Sequence, residues 1–531
     1  MTVLAVSRSP AAANPWVVAA IVVVPTFMEV LDTTIAVVAL RYIAGGLSAT
    51  VNDGEWVLTS YLAANAIILP ITGWLSAHLG RRTYFLLSIG VFTLASGLCG
   101  IATSLNQLIL FRVIQGLAGG GLQPSSQGVL LDAFPREKQG MAMTLFGLAA
   151  LTAPVVGPTL GGWITDQYSW RWVFLINVPV GLLALAACYT KLRDPDYLVR
   201  ARQELRKQPF SFDSIGLSLL AIVVVCWEVM LSKGQEWDWL GDPFWRVQIL
   251  AILFGVGLVA LIFWELRHRS PVVNFRPLRE RNFATCCIII FFAFAVLYGA
   301  STSLPGLLQS LFGYDALRAG LVMSPAGLFS LLAMPAIGLL LGRGTDARWL
   351  LATGLLVMAA GNYWMSQLNL DISPGQVVWP RVLVVLGLSM CFAPANVAAY
   401  LYTPLELRGA AVGLLSLLRN EGGSVGTSLA QTLHERRDQF HTLRLDQYLD
   451  PLNPAVTSFL GQVQGQFDSS DPAASQQLAW QALENLRQQQ ASALAYFDCF
   501  WIFAMVTLAL VLVVPLMKRS VAEKGAHLGS E

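Results

Sequence analysis

Long apolar stretches alternate with short polar ones along almost the whole chain. A helix needs about 20 residues to cross the hydrocarbon core of a bilayer. Stretches of that length occupy residues 15–40, 55–77, 83–102, 108–130, 140–164, 172–190, 213–232, 246–266, 283–304, 317–341, 349–367, 377–400, 410–433 and 493–516. The pattern therefore predicts an all-helical membrane protein with fourteen spans and both termini on one side of the bilayer.

Composition favours a membrane protein over a soluble one. Of the 531 residues, 55% are hydrophobic and only 12% are charged, about half the charged fraction of soluble domains. The net charge of +2 gives no reason to expect a nucleic acid as partner, and the lipid bilayer is the expected environment. The seven cysteines lie within apolar stretches and the five histidines are scattered, so we expect neither a metal site nor a cofactor.

Basic residues in the loops predict which side faces the cytoplasm, because cytoplasmic loops carry an excess of Lys and Arg. One set of loops is rich in them and includes Arg81, Arg82, Lys191, Arg193, Arg200, Arg202, Arg267, Arg276, Arg279, Arg343, Arg348, Arg408, Lys518 and Arg519. The short loops of the opposite side contain Arg41, Arg171, Lys233, Arg246 and Arg318. We therefore expect both termini in the cytoplasm.

Two segments between the predicted spans are long and polar. One is the charged cytoplasmic stretch at 191–212, and the other is the glutamine-rich outer segment at 434–490. Near the end of the outer segment, Ala479, Leu483 and Leu486 fall on one helical face. We expect this helix to run into the last span.

A weak internal repeat relates the two halves of the chain. Pro70-Ile71-Thr72-Gly73 in the first half is echoed by Pro335-Ala336-Ile337-Gly338 in the second. Each is followed by a Gly-Arg pair, Gly80-Arg81 and Gly342-Arg343 respectively. Transporters often contain two related halves, so the echo is compatible with such a design.

Two acidic residues lie deep in the first predicted span. Charges at this depth cost about 3 kcal/mol on insertion scales, so each one needs a reason. Glu29 and Asp32 are three apart and are expected on one helix face. A carboxylate there could exchange protons as a transport site alternates between sides, or it could be a permanently paired structural acid. We favour proton exchange, with Asp32 as the primary residue.

The fourth span contains a basic residue beside an amide and a glycine cluster. Arg112, Gln115 and Gly116 share one face, which directs the guanidinium and the amide together into the bundle. Arginine stays charged at any working pH, so Arg112 could serve as a fixed counter-charge to a carboxylate or as a structural clamp. The cluster at Gly119–Gly121 follows no strand, so it is not a phosphate loop, and it should let a neighbouring helix approach.

The fifth span combines small residues with prolines. Gly157 and Gly161 form a face on which another helix can pack closely, and Pro154 and Pro158 each remove a backbone hydrogen bond and bend the helix. This combination suits a helix at a gating interface. An ordinary packing seam would have the same residues.

Five further polar residues lie at membrane depth, namely Glu228, Arg381, Asn396, Arg419 and Glu421. Arg419 and Glu421 are two apart and should face different ways. Each of the five could have a structural partner elsewhere in the bundle. Asn396 is also a candidate, like Gln115, for substrate contact or gating.

Five short motifs fall in order at the predicted helices. They are Leu31-Asp32-Thr33-Thr34-Ile35, Gly73-Trp74-Leu75-Ser76 through Gly80-Arg81-Arg82, Arg112-Val113-Ile114-Gln115-Gly116, Gly157-Pro158-Thr159-Leu160-Gly161-Gly162 and residues 170–179. Over nearly the whole chain, they resemble the fourteen-helix drug:proton antiporters of the major facilitator superfamily, EmrB/QacA type. Ala77 stands where the family's loop motif has an aspartate, and Val37, Arg41 and Ala153 also depart from the family pattern.

The resemblance implies a fold of two six-helix bundles with two inserted helices. The first bundle would cover 1–190 and the second 267–516, and 517–531 would be a cytoplasmic tail. The charged loop at 191–212 and the inserted pair at 213–266 would lie between the bundles.

The resemblance also implies roles for several residues. In this family the first-span acid, here Asp32, is implicated in proton coupling, and we add Glu29 and Arg112 to it. The fifth-helix motif containing Gly157, Pro158 and Gly161 is associated with antiport. The residues of the cytoplasmic-loop motif are Gly73, Gly80, Arg81 and Arg82.

The function implied is proton-driven export of hydrophobic and amphipathic compounds across the inner membrane, without enzymatic activity. The outer segment at 434–490 resembles the EmrB branch, which implies a periplasmic membrane-fusion adaptor and an outer-membrane channel as partners. One alternative is an exporter of a single metabolite, such as a siderophore, a fatty acid or a natural product. A more remote one is a sensor or enzyme on a transporter scaffold, but the sequence shows no converging catalytic cluster.

Overall fold

The computed structural model describes residues 14–134, 138–205, 213–268, 271–371, 373–450, 452–466 and 472–521. Within these ranges the regular structure is helical and contains no strand. The α-helices are α1 (Pro15–Gly46), α2 (Val51–Gly54), α3 (Trp56–Leu79), α4 (Arg81–Gly100), α5 (Leu105–Gly119), α6 (Leu122–Ala133), α7 (Gln139–Gln167), α8 (Trp172–Leu175), α9 (Asn177–Lys191), α10 (Asp196–Leu205), α11 (Ser214–Lys233), α12 (Arg246–Arg267), α13 (Arg281–Ser310), α14 (Ala316–Gly342), α15 (Ala347–Ser366), α16 (Pro374–Leu401), α17 (Arg408–Asp446), α18 (Pro454–Gln466) and α19 (Pro472–Val511).

Side-chain caps set the starts of several helices. The Asn14 side chain accepts a hydrogen bond from the Trp16 N–H at 3.0 Å, and Pro15 occupies the first position of α1. Before α12, Asp242 accepts hydrogen bonds from both the backbone N–H and the guanidinium of Arg246. The side-chain hydrogen bonds from Arg246 lower the pKa of the Asp242 carboxyl to about 2.

The helices pack as two groups joined along two seams. In the first group α1 packs on α7, α3 on α5, and α4 on α5 and α9. In the second group α13 packs on α17, and α15 on α16 and α19. The seams between the groups are the pairs α7–α14 and α3–α17. A movement of one group against the other must therefore change the contacts along these seams.

The pair α11 and α12 lies beside both groups. α12 packs mainly on α11, whereas α11 also contacts α3 and α17. Lys233 at the end of α11 donates to Glu55, which precedes α3, at 2.8 Å. Glu228 of α11 accepts a hydrogen bond from Ser424 of α17 at 2.9 Å. α11 thus bridges the two groups, while most of α12 faces outward.

Ten helical segments of the described chain are long and apolar enough to cross a bilayer. α7 makes an eleventh if its two segments, which meet at 41°, are counted as one span. The predicted spans 108–130, 349–367 and 410–433 coincide with other helices, and the first of them is divided into α5 and α6. The division occurs because Gly120 and Gly121 interrupt the helix between two shorter segments.

The outer segment forms a helical hairpin. α19 is continuous for 40 residues, so the expectation that this helix runs into the last span is confirmed. α18 packs on it through Val456, Leu460, Ala479 and Leu483, whereas Leu486 is 41% exposed and lies outside this cluster. Parts of the cytoplasmic loop (206–212) and of the tail (522–531) lie outside the described residues.

Candidate functional site

The carboxylate of Asp32 lies fully buried between α1, α5 and α9. Its Oδ2 accepts a hydrogen bond from the Arg112 Nη1 at 2.5 Å. Its Oδ1 accepts from the Gln115 Nε2 at 3.0 Å and from the Asn177 Nδ2 at 2.7 Å. Asp32, Arg112 and Gln115 are each 0% exposed. The first-span acid is therefore held in an ion pair sealed inside the first helix group.

Arg112 is held by more than its carboxylate partner. Its Nε donates to the Val57 carbonyl at 3.1 Å, and its Nη1 also donates to the Gln115 Oε1 at 3.0 Å. The guanidinium carbon lies 4.0 Å from the ring centroid of Tyr61, a cation–π geometry. Arg112 and Gln115 do share one face, as their spacing predicted. They contact Asp32 at a point enclosed by α1, α3, α5 and α9. All four helices belong to the first group, so this cluster does not lie between the two groups.

Glu29 belongs to a second hydrogen-bonded cluster, which shares Tyr61 with that of Asp32. Its Oε1 accepts hydrogen bonds from the Asn65 Nδ2 at 3.1 Å and from the Tyr61 hydroxyl at 3.3 Å. Its Oε2 accepts from the Gln123 Nε2 at 2.5 Å. Residues three apart differ by about 60° in direction around a helix, which is enough to point these two acids at different neighbours.

The second cluster crosses from one helix group to the other. Gln123 of α6 donates through its amide nitrogen to Glu29 and accepts through its carbonyl oxygen from the Arg419 Nη2 of α17. The amide is thus oriented from both sides. Glu29 and Arg419 carry opposite charges that are connected through a single side chain, so the relay joins α1 to α17.

Aromatic rings surround the Arg419 guanidinium. Its central carbon lies 5.6 Å from the ring centroid of Phe146, 5.8 Å from that of Phe294 and 5.9 Å from that of Phe392. Ring faces attract a cation over such distances and also offer an apolar surface. The residues nearest to Arg419 can therefore contact both a charged and a hydrophobic group.

A small cavity lies beside this relay. Its lining includes Asn65, Gln123, Phe294, Tyr298 and Arg419. Its volume is about 30 Å³, room for only a few water molecules. Sites for drug-sized ligands measure roughly 300–1,000 Å³. The two helix groups must therefore separate around the relay before such a ligand can be admitted.

The small residues of α7 lie against α1, next to the buried acid. A Cβ placed on Gly157 would clash with the side chain of Thr34. A Cβ placed on Gly161 would lie 3.2 Å from the Ile35 Cγ2. The predicted close approach is therefore to α1, within a few residues of Asp32.

The other side of α7 forms a seam with α14. A Cβ placed on Gly320 of α14 would lie 2.5 Å from the Thr159 Oγ1. The two segments of α7 meet between Pro154 and Val156, where the helix bends by 41°, and Pro158 follows in the second segment. A bent helix that lies between α1 and the second group is well placed to carry movement from one to the other.

The cytoplasmic-loop motif ties helices of the first group together. Gly80 ends α3 with a φ of +91°, a conformation that favours glycine. Arg81 pairs with Asp132 of α6. The Arg82 backbone N–H donates to the Asp194 Oδ1 at 2.7 Å. The motif therefore binds charged partners from two segments, although Ala77 replaces the family's aspartate.

Gly73, the first residue of this motif, lies at the second seam. A Cβ placed there would lie 3.0 Å from the Gly409 carbonyl carbon of α17. A Cβ on Gly413 would in turn lie 2.9 Å from the Leu69 carbonyl oxygen of α3. Glycines on both helices thus allow the backbones of the two groups to meet.

Asn396 does not join either cluster. It is buried in α16, and its Nδ2 donates to the Phe392 carbonyl of its own helix at 2.8 Å. Its carbonyl oxygen has no hydrogen-bond partner among the described residues. The sequence grouped Asn396 with the gating residues, and the structure places it apart from them.

Four side chains of the two clusters were not singled out from the sequence, namely Tyr61, Asn65, Gln123 and Asn177. Asn65 and Asn177 are uncharged polar residues in apolar helices, which is a weak signal. Gln123 follows the glycine run of the fourth span. Arg419 was noticed as a buried charge, but its partner lies 296 residues away in the sequence, beyond the reach of helical spacing.

A buried ion pair and a small cavity between two groups of apolar helices are features of a membrane transporter. The chain matches the Major Facilitator Superfamily over residues 22–427. It belongs to this superfamily and is a multi-pass membrane protein.

The relatives narrow this assignment. The chain is 39% identical over 490 residues to the multidrug export protein EmrB of Haemophilus influenzae, covering 92% of this chain and 93% of the relative. It is 35% identical over 489 residues to EmrB of Escherichia coli strain K12, covering 92% of each. The human organic anion transporter MFSD10 (TETRAN) shares the fold with a TM-score of 0.60 at 13% identity, over 96% of this chain and 100% of that one. The resemblance to the EmrB type is confirmed.

Proposed function

We propose that the protein is a proton-driven multidrug efflux transporter that exports hydrophobic and amphipathic compounds across the inner membrane. The observation that carries this proposal is the placement of two buried acids three residues apart in α1. Asp32 is paired with Arg112 inside the first group, and Glu29 is linked to Arg419 of the second group. The EmrB relatives are named as multidrug export proteins, which supports the same function.

Proton exchange at Asp32 would control contacts inside the first group. Protonation neutralises the carboxylate and removes the charge that pairs with Arg112, whose guanidinium stays positive. α1 and α5 would then lose the attraction between opposite charges in this cluster and keep only hydrogen bonds there. Because Thr34 packs against Gly157, a shift of α1 would be passed to α7 and on to the seam with α14.

Glu29 would sense the substrate. It is linked through Gln123 to Arg419, and both of these residues line the cavity between the groups, where a ligand must displace the relay in order to bind. A cationic substrate can replace the proton on Glu29, whereas the aromatic rings around Arg419 accept its apolar part. Substrate and proton would thus compete for one side of the cavity, which is the requirement of antiport.

The same proposal includes the arrangement of the chain in the membrane. We count α5 and α6 together as one further span, α15 as a second and the first part of α17 as a third. With the eleven long apolar segments, these three make fourteen spans. The basic loops would then face the cytoplasm together with both termini. The groups 1–190 and 267–516 would be the two bundles, and α11 and α12 (213–266) the inserted pair.

A periplasmic adaptor is the proposed partner of the outer hairpin. α17 and α19 have 39 and 40 residues, or about 60 Å each at 1.5 Å per residue, twice the thickness of the hydrocarbon core. Their outer ends would project with α18 into the periplasm. Leu443 and Leu452 are 67% and 86% exposed there, and exposed apolar side chains of this kind are typical of docking surfaces.

We expect Leu443→Glu with Leu452→Glu to abolish co-purification with a candidate periplasmic adaptor, because the charges would have to be buried at the interface. The α18–α19 cluster does not include either residue, so folding and thermal unfolding should be unchanged. Gln447→Glu adds a charge at a nearby exposed position and serves as control. Adaptor binding that survives both the double substitution and deletion of 434–490 would refute the docking proposal.

The breadth of substrates tests multidrug export against export of one metabolite. Everted vesicles should release protons in response to several unrelated lipophilic compounds, because aromatic and apolar side chains around the cavity recognise shape only loosely. The panel would contain a lipophilic cation, a neutral amphiphile, a fatty acid and a siderophore. A response to only one of these compounds would favour the single-metabolite exporter, and no response to any would contradict transport of this kind.

A further inference from the structure

A second fully buried arginine lies in the second group at a position that echoes Arg112. Arg112 lies seven residues after the first residue of α5 (105 to 112), and Arg381 lies seven after the first residue of α16 (374 to 381). Arg112 is followed by Val113-Ile114 and Arg381 by Val382-Leu383. Both guanidinium groups are 0% exposed. The two residues thus continue the internal repeat of the Pro-x-x-Gly and Gly-Arg segments.

The two arginines differ in what balances their charge. Arg112 meets the carboxylate of Asp32. Arg381 makes a single hydrogen bond, from its Nη2 to the Ser301 Oγ of α13 at 2.6 Å. Its Nε and Nη1 have no acceptor, and no carboxylate of the described chain lies within ion-pair distance of it. The second group therefore has a hydroxyl where the first has an acid.

An unbalanced guanidinium of this kind is costly in a membrane protein. Each unsatisfied buried donor costs the free energy of its lost hydration, which is larger for a charged group, and a buried charge without a partner is worse still. A purely structural arginine would normally have its donors satisfied, as Arg112 nearly has. Two free donors on one buried cation point instead to an anionic ligand.

We propose that Arg381 and Ser301 form a binding site for the carboxylate of an amphipathic organic acid. The carboxylate would accept from Nη1 and from the second N–H of Nη2 side by side, one of the bidentate geometries in which arginine binds carboxylates. Val377, Val382 and Val384, within about one turn of Arg381 along α16, are apolar and buried, so a single charge with an apolar chain fits better than a hydrated, multivalent anion. The site is closed here, and α13 and α16 must part to admit the acid.

This site deepens the proposed function, because it names a class of substrate. It rests on the proposed function only for the direction of transport, since binding of the acid can be measured without transport. Thermal unfolding of the purified protein is followed by the fluorescence of its 16 tryptophans. Saturating dodecanoate should raise the midpoint by about 3 °C or more, whereas dodecanol and dodecylamine should not. Equal stabilisation by sodium chloride alone would overturn the organic acid in favour of an inorganic ion.

Two substitutions make the test specific. Arg381→Gln should abolish the shift with dodecanoate. Ser301→Asp supplies a carboxylate from α13, as Asp32 does from α1, so it should raise the midpoint without ligand and also abolish the shift. Ser310→Asp, at the exposed end of the same helix, is the matched control and should behave as wild type. A full dodecanoate shift in Arg381→Gln or in Ser301→Asp would overturn the site, whatever the outcome of the proton-coupling experiments.

Discussion

Asp32→Asn should abolish substrate-evoked proton release, because it removes the carboxylate that pairs with Arg112 in the buried cluster. The amide can still accept from Gln115 or Asn177, so the shape of the cluster is kept. The charge on Arg112 then has no counter-charge, at a cost of about 3–5 kcal/mol. A bias of about 3 kcal/mol changes a conformational equilibrium by roughly 100-fold. Everted vesicles that contain the variant provide the measurement.

A double substitution separates coupling from stability. Replacing both members of a buried ion pair is often neutral, whereas removing one is not. Asp32→Asn should therefore lower the thermal unfolding midpoint, and Asp32→Asn with Arg112→Gln should restore it without restoring proton release. Asp53→Asn, at an exposed turn, is the matched control. Proton release at the wild-type level in Asp32→Asn would eliminate Asp32 as the coupling acid.

Glu29→Gln should weaken the binding of a lipophilic cation by on the order of 10- to 100-fold while a neutral amphiphile binds as before. A hydrogen bond to a charged group contributes about 1.5–3 kcal/mol, and each 1.4 kcal/mol is a factor of ten. The amide keeps the size of the side chain, and its single carbonyl oxygen can still accept from one of the two donors, Asn65 or Gln123. Titrations of purified protein with tetraphenylphosphonium and with an uncharged analogue provide the comparison.

Glu55→Gln is the matched control for this substitution. Glu55 pairs with Lys233 at the start of α3, away from both clusters, so cation binding should be unchanged. If Glu29→Gln weakened the binding of the cation and of the neutral compound equally, the substitution would act by changing the shape of the cavity and not by removing a charge. Unchanged binding of both compounds would remove Glu29 from the substrate site.

The architecture was largely predictable because hydrophobic length and helical spacing are local properties. The continuous α19 and the shared face of Arg112 and Gln115 followed directly from the sequence. The break between α5 and α6 did not, because glycines such as Gly120 are also tolerated within membrane helices. Whether a glycine run continues or ends a helix depends on the neighbours that pack against it.

The site was predictable in its residues but not in its connections. Spacing placed Glu29 and Asp32 on one face, and yet the structure assigns them to different clusters, since a small rotation changes the neighbouring helix. The role of Arg419 depends on Gln123, a contact between distant parts of the chain. The missing counter-charge of Arg381 could be recognised only when its surroundings were known.

The central claim is that an outward flux of substrate from the cell is exchanged for an inward flux of protons, and an acidic liposome interior stands in for the outer side of the membrane. Purified protein in liposomes with an acidic interior should accumulate tetraphenylphosphonium, a permanent cation that a pH gradient alone does not concentrate. Accumulation should cease when a protonophore collapses the gradient, and it should be absent with Asp32→Asn. Accumulation that is equal with and without the gradient would contradict proton-driven efflux.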